Sequence, residues 1–357
     1  MGLFRLLLAI SVFMAHTNNP KWIHGFGGEN AVEIFFVISG FYIAMILDKT
    51  YSNKWNFYKN RFLRLYPIYY IICGLVLIRA LAIPTFFSDL FHHPAPVLTV
   101  ANTANATLFG TDWLMFLQWR DSALHFGSFL HSEFPVYSAM LIPQAWSLGI
   151  EVTFYLLAPS ICKLRTRYVA LLGLLLFGIK GLYWAKGLNV DPWSYRFFPF
   201  ELPMFVLGIL LYRLKSRGIT RKKISAKITY LGAISIYLIF GLVSSFIYID
   251  RKIQFSLLFL FASAVILFAK QDSLDSRIGE LSYPFYICHL FVISSVDWLI
   301  LQFSDANTSH RFFQSASFKL PLMFVLTLLL SIILIRVMKP IENLRDRNRG
   351  SLRPQLQ

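Results

Sequence analysis

Arg5 and His16 stand eleven residues apart in an apolar run from Gly2 to Ala15. At about 100° per residue that is about three turns, so on a helix the two share a face roughly 16 Å apart along the axis. The guanidinium is a permanent cation that pairs with carboxylates and phosphates, and the imidazole moves protons near neutral pH. A further ionisable group, Glu151, sits in the motif WSLGIE, about one and a half turns inside a later apolar run. Carboxylates and imidazoles in such runs are costly and usually face a bundle interior or a watery cavity. His16 and Glu151 at hydrogen-bond distance would form a general-base pair, the carboxylate fixing the tautomer of the ring. The alternative is that each caps a helix end at the outer membrane interface.

Arg61 and Arg64 lie i, i+3 in YKNRFLRLYPIYY. On a helix they share a face, and their planar forks match phosphate oxygens. Anchoring by the positive-inside rule is the competing reading. Arg5 is expected at the same membrane face, and three arginines there suit a phosphate-rich nucleotide. Glu33, in GGENAVEIFFVISGFYI, is either a snorkelled interfacial acid or a contact to a substrate hydroxyl. Ser39 and Gly40 read as packing residues, and so does His289 of SYPFYICHLFV. Arg79 and Lys180 lie toward outer helix ends, where they snorkel and carry no chemistry. His92-His93 and His125/His131 lack metal-ligand spacing, so no metal is expected. Asn105-Ala106-Thr107 and Asn307-Thr308-Ser309 are glycosylation sequons by pattern alone.

The elements that must position these groups follow from composition. The 357 residues are 56% hydrophobic, 17% aromatic and 15% charged, far more apolar than a soluble domain. The fold class is therefore all-α, a polytopic membrane helix bundle. Apolar runs of spanning length fall near 2–16, 30–48, 66–83, 146–162, 168–185, 197–213, 228–248, 252–269, 281–301 and 318–338, about ten transmembrane helices. Most of the 34 lysines and arginines lie on the side that keeps both termini cytoplasmic, including the basic block 213–227, a topology anchor. The net charge of +16 thus reflects topology, and nucleic acid is not expected as a partner. Cys73, Cys162 and Cys288 suggest neither a disulfide framework nor a zinc site. The first run lacks a small-x-small cleavage site and reads as a retained span. The connection from Pro84 to Pro143 falls outside, with DWLMFLQW (112–119) as an interfacial or re-entrant helix. Residues 1–340 form the membrane domain and 341–357 a basic cytoplasmic tail.

Five blocks occur together and in a telling order: R-x10-H at Arg5/His16, AVEIFFVISGF at 31–41, RFLRLYPIY at 61–69, WSLGIE at 146–151 and YPFYICH at 283–289. The chain resembles the acyltransferase-3 family of integral membrane O-acyltransferases. The resemblance implies transfer of an acyl group, commonly acetyl, from cytoplasmic acyl-CoA to a sugar hydroxyl of a cell-envelope glycan at the bacterial inner membrane. It implies that His16 is the essential histidine and Glu151 the SLxxE glutamate. Arg5, Arg61 and Arg64 become the donor-binding arginines. Glu33 stands where the family commonly has Asp, and Val152-Thr153 replace an often acidic-amide pair, which bears on acceptor identity. Many relatives carry a C-terminal esterase-like domain, and the expectation here is an all-membrane mechanism or a partner. A transporter or flippase of a lipid-linked sugar is the alternative; its usual internal repeats are not evident between residues 1–165 and 166–340.

Overall fold

The structure, a computed structural model, describes residues 1–17, 27–51, 53–129, 134–218, 226–247, 251–269, 272–302 and 315–350. Lys21, His131, the basic residues 221–223, Lys270, the sequon at 307–309, Arg311 and the end of the tail from 351 lie outside them.

Each of the ten apolar runs coincides with an α-helix. They are α1 (Gly2–Ala15), α2 (Gly28–Lys49), α3 (Lys54–Ala82), α6 (Trp146–Ile161), α7 (Thr166–Ala185), α8 (Phe198–Ser216), α9 (Ala226–Phe246), α10 (Arg251–Phe268), α12 (Ser282–Gln302) and α13 (Ala316–Gly350). Among the described residues there are also three shorter α-helices, α4 (Pro84–Phe91), α5 (Ala95–Thr107) and α11 (Ser273–Glu280). Among the described residues, Gly28–Lys49, Lys54–Ala82, Thr166–Ala185, Ser273–Gln302 and Ala316–Arg345 are long and apolar enough to cross a membrane. Along α7, Leu171, Leu174, Leu175 and Leu182 are exposed, an apolar face suited to lipid.

The chain divides into two compact units, Met1–Phe35 with Leu214–Lys339, and Phe36–Arg213 with Pro340–Gln357. In the first unit α1 is seated on α11 and α12. Its own N-cap residue offers no side-chain bond, so the orphan N–H groups of Gly2 and Leu3 donate to the Asp275 carboxylate of α11, at 2.6 and 2.9 Å. Gly2 is obligatory there, because a Cβ would sit 2.8 Å from the Gly279 nitrogen and 1.5 Å from the Asp275 carbonyl oxygen. Further along α1, Phe13 packs edge-on to Phe285 and Phe324, with centroids 5.7 and 5.9 Å away.

In the second unit α2 and α8 cross backbone to backbone. A Cβ on Gly40 would fall 2.1 Å from the Phe205 carbonyl oxygen, and one on Gly208 would fall 2.0 Å from that of Val37. Gly40 therefore packs as its sequence context suggests. Helix α3 starts at Lys54, twelve residues before the run near 66–83, because Asn53 caps it by accepting from the Trp55 nitrogen at 2.8 Å. The polar segment KWNFYKNRFLRL hid this extension from a reading by apolar length. Around Pro67, the hydroxyls of Tyr66, Tyr69 and Tyr70 donate to the carbonyls of Thr107, Asn105 and Ala106. Three phenols at i, i+3, i+4 thus satisfy the last turn of α5.

The expected helix at 112–119 is not formed. Trp113–Phe116 is a single 3-10 turn, and Leu117–Arg120 is a strand, β1, paired antiparallel with β2 (Ala123–Phe126) and β3 (Phe134–Pro135). Asp121 and Ser122, at φ +50° and +60°, close β1 to β2 as a two-residue primed turn. Asp-Ser is a weak hairpin signal beside Asn-Gly, which explains why the stretch read as helix.

Candidate functional site

His16 is the C-cap of α1, with φ −96° and ψ 0°, so it almost continues the helix and keeps its relation to Arg5. Its ring is exposed, and Arg5 is half-buried. The Nδ1 atom lies 2.8 Å from the Val12 carbonyl oxygen, one turn back. A carbonyl only accepts, so Nδ1 carries the proton and Nε2 is the basic nitrogen.

Beside it, on α12, stands His289, fully buried. Its Nδ1–H donates to the Tyr286 carbonyl at 2.5 Å, which leaves Nε2 unprotonated. That Nε2 is 3.3 Å from His16 Nδ1, with ring centroids 5.0 Å apart and planes at 52°. His289, expected as a packing residue, is packed and buried, and its Nε2 also faces the proton that Val12 holds. No sequence signal marked it, because a lone histidine on an apolar helix is commonly a packing residue and nothing in one dimension brings α12 to α1.

Glu151 belongs to the second unit, on α6. Its carboxylate accepts from the Ser39 hydroxyl at 2.5 Å and from the Tyr155 hydroxyl one turn further along α6. Ser39, expected to pack, is thus a hydrogen-bond donor to the half-buried acid. On α3 the Arg61 guanidinium lies 5.9 Å from the ring centroids of both Phe57 and Tyr155. Arg61 is 4% exposed and Arg64, one turn on, is half-buried. Arg61 thus lies over Tyr155, whose hydroxyl is bonded to Glu151 one helical turn back on α6, and Glu151 is in turn bonded to Ser39. Glu33 is 3% exposed, so it is enclosed by protein and does not snorkel.

WSLGIE owes its glycine to the connection between α5 and α6. A Cβ on Gly149 would meet Thr111 Oγ1 at 2.3 Å and Asp112 Oδ1 at 3.1 Å, so residues 111–112 lie directly on the first turn of α6. Asp112 is 1% exposed, and its Oδ1 has no hydrogen-bond partner. Burial pushes this carboxyl up to about 7, against the opposing pull of the backbone N–H groups of Asp112 and Trp113. Lys180 departs from the expected snorkelling, being 4% exposed and bonded at 2.9 Å to Glu201, which is fully buried on α8.

A family model described as "Acyltransferase domain" matches residues 1–336. This chain belongs to the acyltransferase-3 family. The family member is 31% identical over 183 residues to "Peptidoglycan O-acetyltransferase OatA" of Listeria monocytogenes, covering 49% of this chain and 26% of that protein. It is 26% identical over 334 residues to "O-acetyltransferase OatA" of Staphylococcus aureus, covering 84% of this chain and 51% of that one. To "Exopolysaccharide production protein ExoZ" of Rhizobium meliloti it is 25% identical over 285 residues, covering 75% and 78%. The chain thus spans about a quarter to a half of the two OatA relatives' length. No solved structure matches it. Membership and the apolar helices together make it a membrane protein.

Proposed function

We propose that this protein is a membrane O-acyltransferase that moves an acetyl group from cytoplasmic acetyl-CoA to a sugar hydroxyl of a cell-surface polysaccharide, such as lipopolysaccharide O-antigen. The observation that carries the reading is His16, whose Nδ1–H is held by Val12 so that Nε2 is the basic nitrogen. The relatives named as O-acetyltransferases support the same chemistry.

In this reading His16 Nε2 takes the proton of the acceptor hydroxyl as the oxygen bonds to the thioester carbonyl carbon. The C–S bond then breaks, and the proton passes to the departing thiolate, giving an O-acetyl ester and CoA thiol. Arg61 and Arg64 contribute the positive charge for the donor's phosphates, and Arg5 is assigned the same role from its place in the family motif. Glu151, held by Ser39 and Tyr155, is the catalytic carboxylate, and Glu33 contacts the acceptor. Ten spans in the bacterial inner membrane with both termini cytoplasmic complete the proposal.

The test is His16→Ala. O-acetyl esters, released from surface glycan as acetate by mild alkali, should fall by on the order of 10²-fold or more while the protein still accumulates in the membrane. Esters at the wild-type level would overturn the assignment. Purified protein given acetyl-CoA should liberate CoA thiol only when the acceptor glycan is present.

A further inference from the structure

We propose that His289 is a positioning residue for His16: its unprotonated Nε2 accepts the His16 Nδ1–H and holds the imidazole with the basic Nε2 available for proton transfer. This deepens the proposed function, because it rests on His16 being the base. Three observations carry it.

First, the Tyr286 carbonyl fixes the His289 tautomer, since only Nδ1–H can donate to it at 2.5 Å. Second, the remaining His289 nitrogen is 3.3 Å from the one His16 nitrogen that must carry a proton. The donor and acceptor assignments close on each other with no rearrangement. Third, His289 is fully buried, its ring 5.8 Å from that of Tyr286, which itself packs on Phe35 at 6.1 Å. The acceptor is therefore rigid, while the ring it orients is exposed.

The chemistry differs from that of a carboxylate orienting a histidine. A neutral acceptor brings no buried charge into the apolar helix pair, so it avoids the desolvation cost of an ionised acid at that depth. When His16 takes a proton, the Nδ1–H to Nε2 bond becomes charge-assisted and strengthens at the moment the base is cationic. Val12 alone would hold the tautomer; the two acceptors together fix the plane of the ring.

The discriminating experiment pairs two substitutions whose effects reverse between roles. His289→Gln keeps an acceptor oxygen near the position of Nε2, whereas His289→Phe keeps the ring volume and loses the acceptor. A positioning role predicts surface O-acetyl esters within about 10-fold of wild type for Gln and lower by on the order of 10²-fold for Phe, with both proteins accumulating. A packing role predicts the opposite order, because Phe suits an apolar site and Gln buries an amide. Nitrogen-15 spectra of histidine-labelled protein in bilayers supply a second readout. His289 should show a protonated Nδ1 and a bare Nε2, assigned by loss of its signals in the Phe variant. Equal activity of Phe and Gln, Phe the more active, or a protonated His289 Nε2 would overturn the proposal. Failure of the functional reading is separate: it would appear as full esterification in His16→Ala, whatever the His289 tautomer.

Discussion

At the scale of single residues, the key polar side chains have one partner on their own helix and one on another: His16 meets Val12 and His289, and Glu151 meets Tyr155 and Ser39. His16 was legible as an ionisable residue inside an apolar run, and its tautomer follows from a carbonyl one turn back. Its second partner was not legible, because the contact of α1 with α12 joins residues 273 positions apart. Ser39 was hidden for the same reason, since a serine beside a glycine on an apolar helix reads as packing until Glu151 is placed against it. Asp112 yields a pH prediction of its own. Its carboxyl titrates near 7 in the fold and near 3.8 in the unfolded chain, so the folded state binds the extra proton between those values. Stability contributed in acid is therefore lost as pH rises toward and through 7. Asp112→Asn, which is neutral throughout, should raise the thermal midpoint in detergent more at pH 8 than at pH 5. An equal shift at both pH values would show that the carboxyl titrates normally.

At the scale of elements, apolar length was enough to find the helices that carry the site. It was not enough to find the start of α3, where an Asn cap and an amphipathic first half precede the apolar run. Nor did it reveal the hairpin between α5 and α6, which depends on two non-glycine residues at positive φ. The close crossing of α2 and α8 supports a further prediction. Gly40→Ala would place a methyl 2.1 Å from the backbone of Phe205, and neither backbone can yield without moving a helix. A loss of about 1–3 kcal/mol is expected from such overpacking. Gly74→Ala in α3 meets nothing within 4 Å and should instead be neutral or stabilising by up to about 1 kcal/mol. Thermal unfolding of the two variants in the same detergent separates the cases; similar midpoints would show that the crossing is loose.

At the scale of the whole molecule, charge distribution makes the topological prediction. With the basic segments inside, a fluorescent protein that matures only in the cytoplasm should be bright when fused after Gln357, and an alkaline phosphatase fused there should be silent. The reverse pattern would invert the proposed orientation and move Arg61 and Arg64 to the wrong side for a cytoplasmic donor. The family blocks identified the acyltransferase domain from sequence because they are short, local and ordered. The ionic contacts between helices are none of these.

The pairing of Lys180 with Glu201 bears on how the chain is made. α7 emerges from the ribosome before α8, carrying a lysine near the end of an apolar helix, where an ammonium without a partner is costly to place in lipid. The compensating carboxylate arrives 21 residues later. Until it does, α7 holds an unmatched charge, so the favourable unit for lateral release into lipid is the α7–α8 hairpin with its ion pair already closed. Two charges that cancel in the finished protein thus set an order of events during its biosynthesis.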